Sequence, residues 1–473
     1  MSALEPERPR SKLPLVRILF VAVLAALLAA AFAYRARLEG EPPQIRVTPE
    51  ADMVGTAPLE ISVSDPGAGL KSVTVTLSSG GTETPLLNER FAQAVGEKKL
   101  SVELAKVAGI KEGPVTLRIV ARDASLRSFL AGNEASLQKQ LTVDLTPPTL
   151  ELIADDRYIN FGGAGAIVYK ASPDTATSGV KIGRHFFPGF AGQVDGKPDH
   201  SFALFAHPYD TPQDAKAMLV ATDKAGNTRQ LPLVYELKSV KYRKSTIAIS
   251  DSFLQGKVLA LVQDAAAKQG TPKDAFVAVN EALRKANDEK IAAVTAKATP
   301  AMQWKGAFVQ LSNSKVEANF ADQRTYVHNG APISSSYHLG YDLSVTKRYP
   351  VEAANSGTVA FAGDLGIYGN TVILDHGLGL FTLYSHLSSI DAKEGDKVQQ
   401  RQPLGRTGET GLAAGDHLHY GVYLHGVAVL PVEWWDGKWI RDNVEPKLQG
   451  RGSDEIAVSQ QPKARAARTK RGR

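Results

Sequence analysis

Alternating hydrophobic and polar positions dominate the chain from residue 45 onward. The stretches "LEISVSD", "KSVTVTLSS" and "PVTLRIVARD" are rich in β-branched residues and alternate with period two. Gly, Pro and Asp turns separate them, and two consecutive prolines in "LTPPTLEL" mark a boundary between extended segments. The pattern therefore predicts one β domain at 45–146 and a second at 147–240.

A faint internal repeat supports this division. The strand "VTLRIVARD" ends at Asp123 and is followed by Ala131-Gly132-Asn133, and "AMLVATDKAGN", which ends at Asn227, echoes it. The second copy resembles the "TDKAGN" strand end of bacterial immunoglobulin-like modules. This resemblance implies two tandem immunoglobulin-like β-sandwich domains of about 100 residues each. One larger β domain is the alternative.

The period changes to that of a helix over 250–300. "KVLALVQDAAAK" closes on Gly270, and Thr271-Pro272-Lys273-Asp274 then supplies an N-cap, a proline in the first turn and an acid three residues on. An apolar stripe at helical spacing follows, made of Phe276, Val279 and Leu283. We expect a helical segment of two or three helices here.

An uncharged apolar run, Ile18 to Tyr34, stands near the start of the chain. Its seventeen residues would span about 25 Å as a helix, which is at the short end for a bilayer crossing. Basic residues precede it, so the positive-inside rule predicts a cytoplasmic segment at 1–17 and a transmembrane or signal-anchor helix at 18–34. We expect an inner-membrane anchor with the bulk of the protein in the periplasm or extracytoplasmic space. The alternative is secretion after cleavage of a signal peptide, because "AAAFA" offers small residues at suitable spacing.

Composition adds two exclusions. The 473 residues are 43% hydrophobic and 22% charged, which suits several globular domains, and the absence of cysteine excludes disulfides, Cys-ligated zinc and thiol catalysis. The net charge of +6 equals that of the last eleven residues, "KARAARTKRGR". We therefore expect a disordered basic tail at 446–473 and no nucleic-acid partner.

Histidines concentrate in the segment 306–445, where short strands and tight turns return. Seven of the ten histidines fall between residues 328 and 425. Three clusters carry candidate chemistry, namely "HLGYD" with His338 and Asp342, "YSHL" with His386, and "GDHLHY" with His417 and His419.

The spacing of His417 and His419 suits a strand, because alternation places both on one face. Neighbours on such a face are about 6.5–7 Å apart, so one can bind a metal ion while the other reaches its water or the substrate. The same reasoning predicts that Thr382, Tyr384 and His386 share a face.

In order and spacing, "HLGYD", "GIYGNTVILDHGLGLFTLYSHL", "EGDKV", "LGRTGETG" and "GDHLHY" resemble the lysostaphin/LytM-type zinc metallopeptidases. The resemblance covers about 110 residues. It implies that one zinc ion is bound by His338, Asp342 and His419. It also implies that His386 and His417 are catalytic, with their individual roles left open. Asp416 stands where this family often has proline, and it either orients a histidine or caps a turn.

The resemblance implies a zinc metalloendopeptidase that hydrolyses peptide cross-links of peptidoglycan, with stem peptides as its partner. The expected fold is mainly β: a transmembrane helix, two immunoglobulin-like domains, a helical segment, and an antiparallel β metallopeptidase domain at 306–445. Two alternatives remain, a non-enzymatic activator of other cell-wall hydrolases and a protease on extracellular proteins.

Overall fold

The computed structural model describes residues 13–34, 40–127, 131–263 and 265–460. Strands predominate in this part of the chain, which confirms the expected mainly β class. Most of the predicted cytoplasmic segment 1–17, and residues 461–473 of the predicted tail, lie outside the described residues.

A single helix, α1 (Leu13–Tyr34), contains the apolar run near the start of the chain. Its side chains are described for residues 17–29. Among the described residues, no helix combines the length and apolar character that crossing a membrane requires. The transmembrane assignment of 18–34 therefore stays a prediction.

The described chain up to Pro147, together with Asp223–Asn227, forms one compact unit. Its strands form one sheet in the order β1-β3-β6 and another in the order β2-β8-β7-β4-β5. Buried and exposed residues alternate along β3 and β7 as the sequence predicts, and the buried ones share one apolar cluster. The immunoglobulin-like assignment stays a prediction. The strands are β1 (Gln44–Thr48), β2 (Met53–Val54), β3 (Leu59–Ser64), β4 (Leu70–Ser79), β5 (Thr82–Val95), β6 (Glu97–Val102), β7 (Gly113–Asp123) and β8 (Glu134–Val143).

The two copies of the internal repeat end in the same hydrogen-bonded turn. Asp123 accepts from the backbone N–H of Asn133 at 2.7 Å and from its side-chain amide at 2.7 Å. Asp223 accepts in the same way from Asn227, at 2.8 and 3.0 Å. An Asp at the strand end is thus bonded to an Asn in both copies, ten residues later in the first and four residues later in the second.

The remaining described residues form the second compact unit. Its first part contributes sheets in the orders β14-β15-β11-β9 and β13-β12-β16-β17, and a parallel pair, β10-β18. These strands are β9 (Leu150–Ala154), β10 (Tyr158–Asn160), β11 (Ala164–Ala171), β12 (Thr175–Ile182), β13 (His185–Pro188), β14 (Phe190–Ala191), β15 (His200–Ala206), β16 (Ala217–Asp223), β17 (Thr228–Pro232) and β18 (Glu236–Lys238).

Helices follow over the segment where the apolar period changes. Thr271 and Asp274 form a reciprocal capping box with Pro272 in the first turn, as the sequence indicates. The helices are α2 (Asp251–Phe253), α3 (Leu259–Leu261), α4 (Ala265–Gln269), α5 (Pro272–Val277) and α6 (Arg284–Thr295), with π-helical turns at Leu254–Val258 and Ala278–Leu283.

The histidine-rich part is built on one antiparallel sheet in the order β20-β23-β31-β27-β26-β25-β29, with β32 paired to β31. Smaller sheets, β19-β21-β22 and β24-β30-β28, accompany it. The strands are β19 (Lys244–Ala248), β20 (Lys315–Ala318), β21 (Asp322–His328), β22 (Ala331–His338), β23 (Tyr341–Ser344), β24 (Pro350–Glu352), β25 (Gly357–Asp364), β26 (Asn370–Asp375), β27 (Leu380–Leu387), β28 (Ser389–Ile390), β29 (Lys397–Val398), β30 (Pro403–Arg406), β31 (Leu418–Leu424) and β32 (Val427–Val429).

Helices also occupy the region where a disordered tail is predicted to begin. They are α7 (Pro431–Trp435), α8 (Gly437–Asn443), α9 (Glu445–Leu448) and α10 (Ser453–Gln460). The prediction of disorder is therefore wrong for residues 446–460. Lys447 is the reason: its ammonium group is buried and paired with Asp156, almost 300 residues earlier, which local composition does not reveal.

Glu433 of α7 ties the C-terminal helices to the segment 148–240 within the same unit. Its carboxylate accepts from the side-chain amide of Asn160 and from the backbone N–H of Ala164, both at 2.7 Å. Burial raises the pKa of Glu433 to about 8, although these two donors lower it. Residues from both segments also share one apolar cluster.

Candidate metal and catalytic site

Three adjacent strands bring the site residues into one row. In the antiparallel registers, Asp342 of β23 lies opposite His419 of β31, and His419 lies opposite Ser385 of β27. Along β31, Leu418 and Tyr420 pack into one apolar cluster and Tyr423 packs into another, so the predicted alternation of faces is present. The strand therefore points His419 to the side away from Leu418 and Tyr420.

His338, Asp342 and His419 converge on one point. His338 Nε2, Asp342 Oδ1 and His419 Nδ1 are each 2.9 Å from the other two. Gly340 permits this approach, because a Cβ there would meet the His419 ring at 2.8 Å and the Tyr420 carbonyl oxygen at 2.5 Å. The glycine of "HLGYD" thus leaves room for the imidazole of His419.

The hydrogen bonds around these residues fix where their lone pairs point. His338 Nδ1 donates to the carbonyl oxygen of Asn319 at 2.9 Å, so the neutral ring presents its Nε2 lone pair to Asp342 and His419. The Asp342 carboxylate can only accept. His419 Nε2 is buried without a hydrogen-bond partner in the described part of the chain, so Nδ1 is the nitrogen of this ring that faces Asp342 and His338. Two imidazole nitrogens and a carboxylate oxygen facing one another fit a zinc ion.

Electrostatics keep the cluster in its metal-binding protonation state. Burial opposes ionisation of Asp342, but its interactions with His338, His417 and His419 hold its pKa well below the usual range. Burial lowers the pKa of His419 to about 4. The carboxylate is therefore charged and the His419 ring neutral near pH 7.

His417 lies beside the cluster rather than within it. Its Nδ1 donates to the carbonyl oxygen of Gly415 at 2.8 Å, and its Nε2 is 3.5 Å from Asp342 Oδ1. Burial acts to lower the pKa of His417, but the hydrogen bond to Asp342 and the negative charge of this carboxylate raise it. His417 and His419 thus occupy unequal positions, as the strand spacing suggests.

His386 reaches the site in a way that alternation does not predict. The register of β26 and β27 shifts between Asn370 and Val372, which marks a bulge, and His386 has a left-handed φ of 63°. Tyr384 packs against Tyr420, whereas the His386 ring centroid lies 4.8 Å from that of His417. The prediction that Tyr384 and His386 share a face is therefore wrong, because the bulge turns His386 to the side of His419.

The orientation of His386 is fixed by the chain that follows it. Its Nδ1 donates to the carbonyl oxygen of Thr410 at 2.9 Å, which leaves Nε2 with a lone pair in the neutral ring. Burial, together with the neighbouring imidazoles of His417 and His419, lowers the pKa of His386 well below its ordinary value. A buried neutral imidazole thus lies beside His417.

Arg324 is a further residue of the site that the sequence did not reveal. Its guanidinium donates to Asp342 Oδ2 at 3.0 Å, so both oxygens of this carboxylate are engaged. Arg324 comes from β21, outside the recognised motifs, and only the pairing of β21 with β22 brings it near. Local sequence offers no signal for this contact.

Two polar residues outside the cluster, Asp416 and His376, have structural partners. Asp416 accepts from the backbone N–H of Arg348 at 3.0 Å and from the Thr407 hydroxyl at 2.6 Å. These two contacts hold the loops beside His417, as the capping alternative proposes. His376 is fully buried between the Ser356 carbonyl and the Thr382 hydroxyl, in agreement with a structural role.

The comparisons with known proteins converge on this region. Residues 336–431 match peptidase family M23. The DD-carboxypeptidase/endopeptidase Mpg of Neisseria meningitidis is 40% identical over 95 residues, which are 20% of this chain and 22% of that protein. The peptidoglycan DD-endopeptidase ShyA of Vibrio cholerae is 32% identical over 117 residues, or 24% and 26% of the two chains. The chain thus spans only about a quarter of the length of these relatives.

Solved structures give weaker likenesses. A putative peptidase M23 from Pseudomonas aeruginosa covers 58% of this chain and 93% of its own, with 18% identity and a TM-score of 0.38. The catalytic domain of lysostaphin from Staphylococcus simulans covers 28% and 98%, with 28% identity and a TM-score of 0.23. With TM-scores this low, neither structure establishes a shared overall fold. The family match and the curated relatives show that residues 336–431, with the site described above, are a peptidase family M23 domain.

Proposed function

We propose that the chain is a zinc-dependent endopeptidase that hydrolyses peptide cross-links of peptidoglycan during cell-wall remodelling. The observation that carries the proposal is the convergence of His338 Nε2, Asp342 Oδ1 and His419 Nδ1 with two further histidines beside them. Relatives named as peptidoglycan DD-endopeptidases support the choice of substrate.

In this proposal His338, Asp342 and His419 hold the zinc ion, and Arg324 steadies Asp342 through its second oxygen. When bound, the zinc ion lowers the pKa of a coordinated water toward 7 and polarises the scissile carbonyl. Arg324 and the Asn319 carbonyl keep the two ligands oriented, which preserves the geometry of the site.

His417 and His386 would move the protons, because each ring is anchored at Nδ1 by a backbone carbonyl and offers Nε2 to the site. His417 Nε2 is the nearer to the ligand carboxylate, so we assign it the proton of the attacking water. The proton taken from the water then passes to the leaving amine through the Nε2 lone pair of the neutral His386 beside His417, which accepts it and gives it up.

An envelope location belongs to the same proposal. It rests on the sequence alone, on the basic residues before 18–34 and on the uncharged apolar run Ile18 to Tyr34. We propose that the bulk of the chain lies outside the cytoplasm, where peptidoglycan is found.

Digestion of purified sacculi by the full zinc-loaded chain tests the function. We expect cross-linked muropeptide dimers to fall and monomers with new amino groups to rise, as identified by mass spectrometry. Asp342→Asn is the matched control, because it keeps the side-chain shape and removes the ligand charge, and it should leave the dimers intact.

Two other outcomes would identify the alternatives. If the wild-type chain leaves dimers intact but stimulates another cell-wall hydrolase, it is a regulator. Cleavage of a glycine-rich protein without cleavage of dimers would make it a protease on extracellular proteins. The complete set of five site residues favours the enzyme over the regulator.

A further inference from the structure

The site opens into a cleft that is lined partly by residues from outside the family domain. The cavity has a volume of about 360 Å³, and the five site residues are among those that line it. Phe253, Phe276, Arg284 and Tyr326 line it as well, and all of them precede residue 336, where the family match begins. The helical segment of this chain therefore contributes to the surface that a substrate would meet.

The charges that line this cleft are unbalanced. They belong to Arg284, Arg324 and Asp342. Arg324 is paired with Asp342, whereas Arg284 makes no ion pair with a carboxylate among the residues described. Asp288, one helical turn later, accepts a hydrogen bond from the Tyr368 hydroxyl at 2.8 Å instead. Burial raises the pKa of Asp288, and the nearby charge of Arg284 opposes this shift. No carboxylate oxygen among the described residues pairs directly with the Arg284 guanidinium, which is therefore open to a further anion.

Arg284 is held in place by hydrogen bonds, although no carboxylate forms an ion pair with it among the described residues. Its Nε and Nη2 donate to the side-chain oxygen of Asn280 at 3.2 and 2.9 Å. Asn280 is buried, and its amide donates to the Ser334 hydroxyl at 2.8 Å. This leaves Nη1 and one Nη2 hydrogen available on a guanidinium that is already oriented, which reduces the entropy lost when a ligand binds.

We propose that Arg284 binds a carboxylate of the substrate, so that the cleft selects peptides carrying a free carboxylate close to the scissile bond. The inference rests on the proposed function and adds the substrate class to it. The half-buried aromatic ring of Phe253 would contact the aliphatic part of such a residue. A neutral glycine chain would offer no partner to this ring or to the charge of Arg284.

The test compares two substrates, a cross-linked muropeptide dimer with free carboxyl groups and the same dimer with these groups amidated. We expect the full zinc-loaded chain to prefer the acid form. Arg284→Gln should lower kcat/KM for the acid form by about 10- to 100-fold, mainly through KM, and remove the preference. Arg284→Lys keeps the charge and loses the fork, so it should keep part of the preference. Lys285→Gln removes an exposed charge from the same helix and should behave like the wild type.

The possible outcomes distinguish a failure of this inference from a failure of the proposed endopeptidase function on which it rests. Equal losses of kcat/KM on acid and amide substrates in Arg284→Gln, at unchanged zinc content, would overturn the role of Arg284. A wild-type chain that cleaves both dimers equally well would overturn it too, whether or not the variants fold, while the endopeptidase function would stand. If the wild-type chain cleaves neither dimer, the function fails and the inference with it.

Discussion

At the scale of single residues, the site depends on contacts that hold its ligands as much as on the ligands themselves. Asp342 offers one oxygen to the two histidines and the other to Arg324. Such partners of a ligand typically contribute 10- to 100-fold, roughly, to metal affinity. Arg324 is therefore a positioning residue rather than a catalytic one.

We expect Arg324→Gln to weaken zinc binding by about 10- to 100-fold, because Asp342 Oδ2, the oxygen that does not face the two histidines, loses the donor that orients it. Competition with a chromogenic chelator measures this affinity directly. Arg401→Gln is the matched control, since Arg401 is an exposed arginine near Glu352. Equal zinc affinity in the wild type and Arg324→Gln would show that the contact does not position the ligand.

At the scale of elements, strand alternation accounts for the positions of His417 and His419 but not for that of His386. The period of two correctly separates His419 from Leu418 and Tyr420. The side chain of His386 does not follow this alternation, because a bulge and a left-handed φ of 63° turn it to the other face of the strand. A residue other than glycine pays about 1 kcal/mol or more in this region of backbone space.

The bulge predicts an unusual order of stability between two variants. At an ordinary strand position alanine is favoured over glycine, but at this left-handed position we expect His386→Gly to be more stable than His386→Ala by about 1 kcal/mol. Urea unfolding of the two variants gives the difference. An alanine variant that is equally or more stable would show that the backbone relaxes out of the left-handed region.

These cases show which features of the site can be predicted from the sequence and which cannot. The motifs name the five site residues, and the spacing between neighbours on one strand face explains how His417 and His419 can differ in role. Arg324 and the bulge at His386 depend on strand pairing and register, which a local pattern does not encode. Lys447 likewise lies in a region of tail-like composition, and its partner Asp156 is visible only after the chain has folded.

At the scale of the whole molecule, a buried carboxylate joins distant parts of the second compact unit. Burial raises the pKa of Glu433 to about 8, from about 4.5 in the unfolded chain. Between these values the folded state binds more protons than the unfolded state, so the free energy of unfolding should fall as the pH rises from 4.5 toward 8.

The expected pH dependence can be isolated with Glu433→Gln, which does not titrate. We expect its free energy of unfolding, measured by urea denaturation at several pH values, to fall less steeply over this range than that of the wild type. Glu445→Gln, a nearby carboxyl group on α9, serves as the control and should keep the wild-type slope. Parallel pH profiles for the wild type and Glu433→Gln would contradict the assignment.

The central claim is that the two histidines of "GDHLHY" differ in role, His419 binding the metal ion and His417 acting beside it. The most direct test is the zinc content per chain of the purified wild type, His417→Ala and His419→Ala. We predict about one zinc ion per chain for the wild type and for His417→Ala, and little zinc for His419→Ala. Equal loss of zinc in both variants would contradict the account.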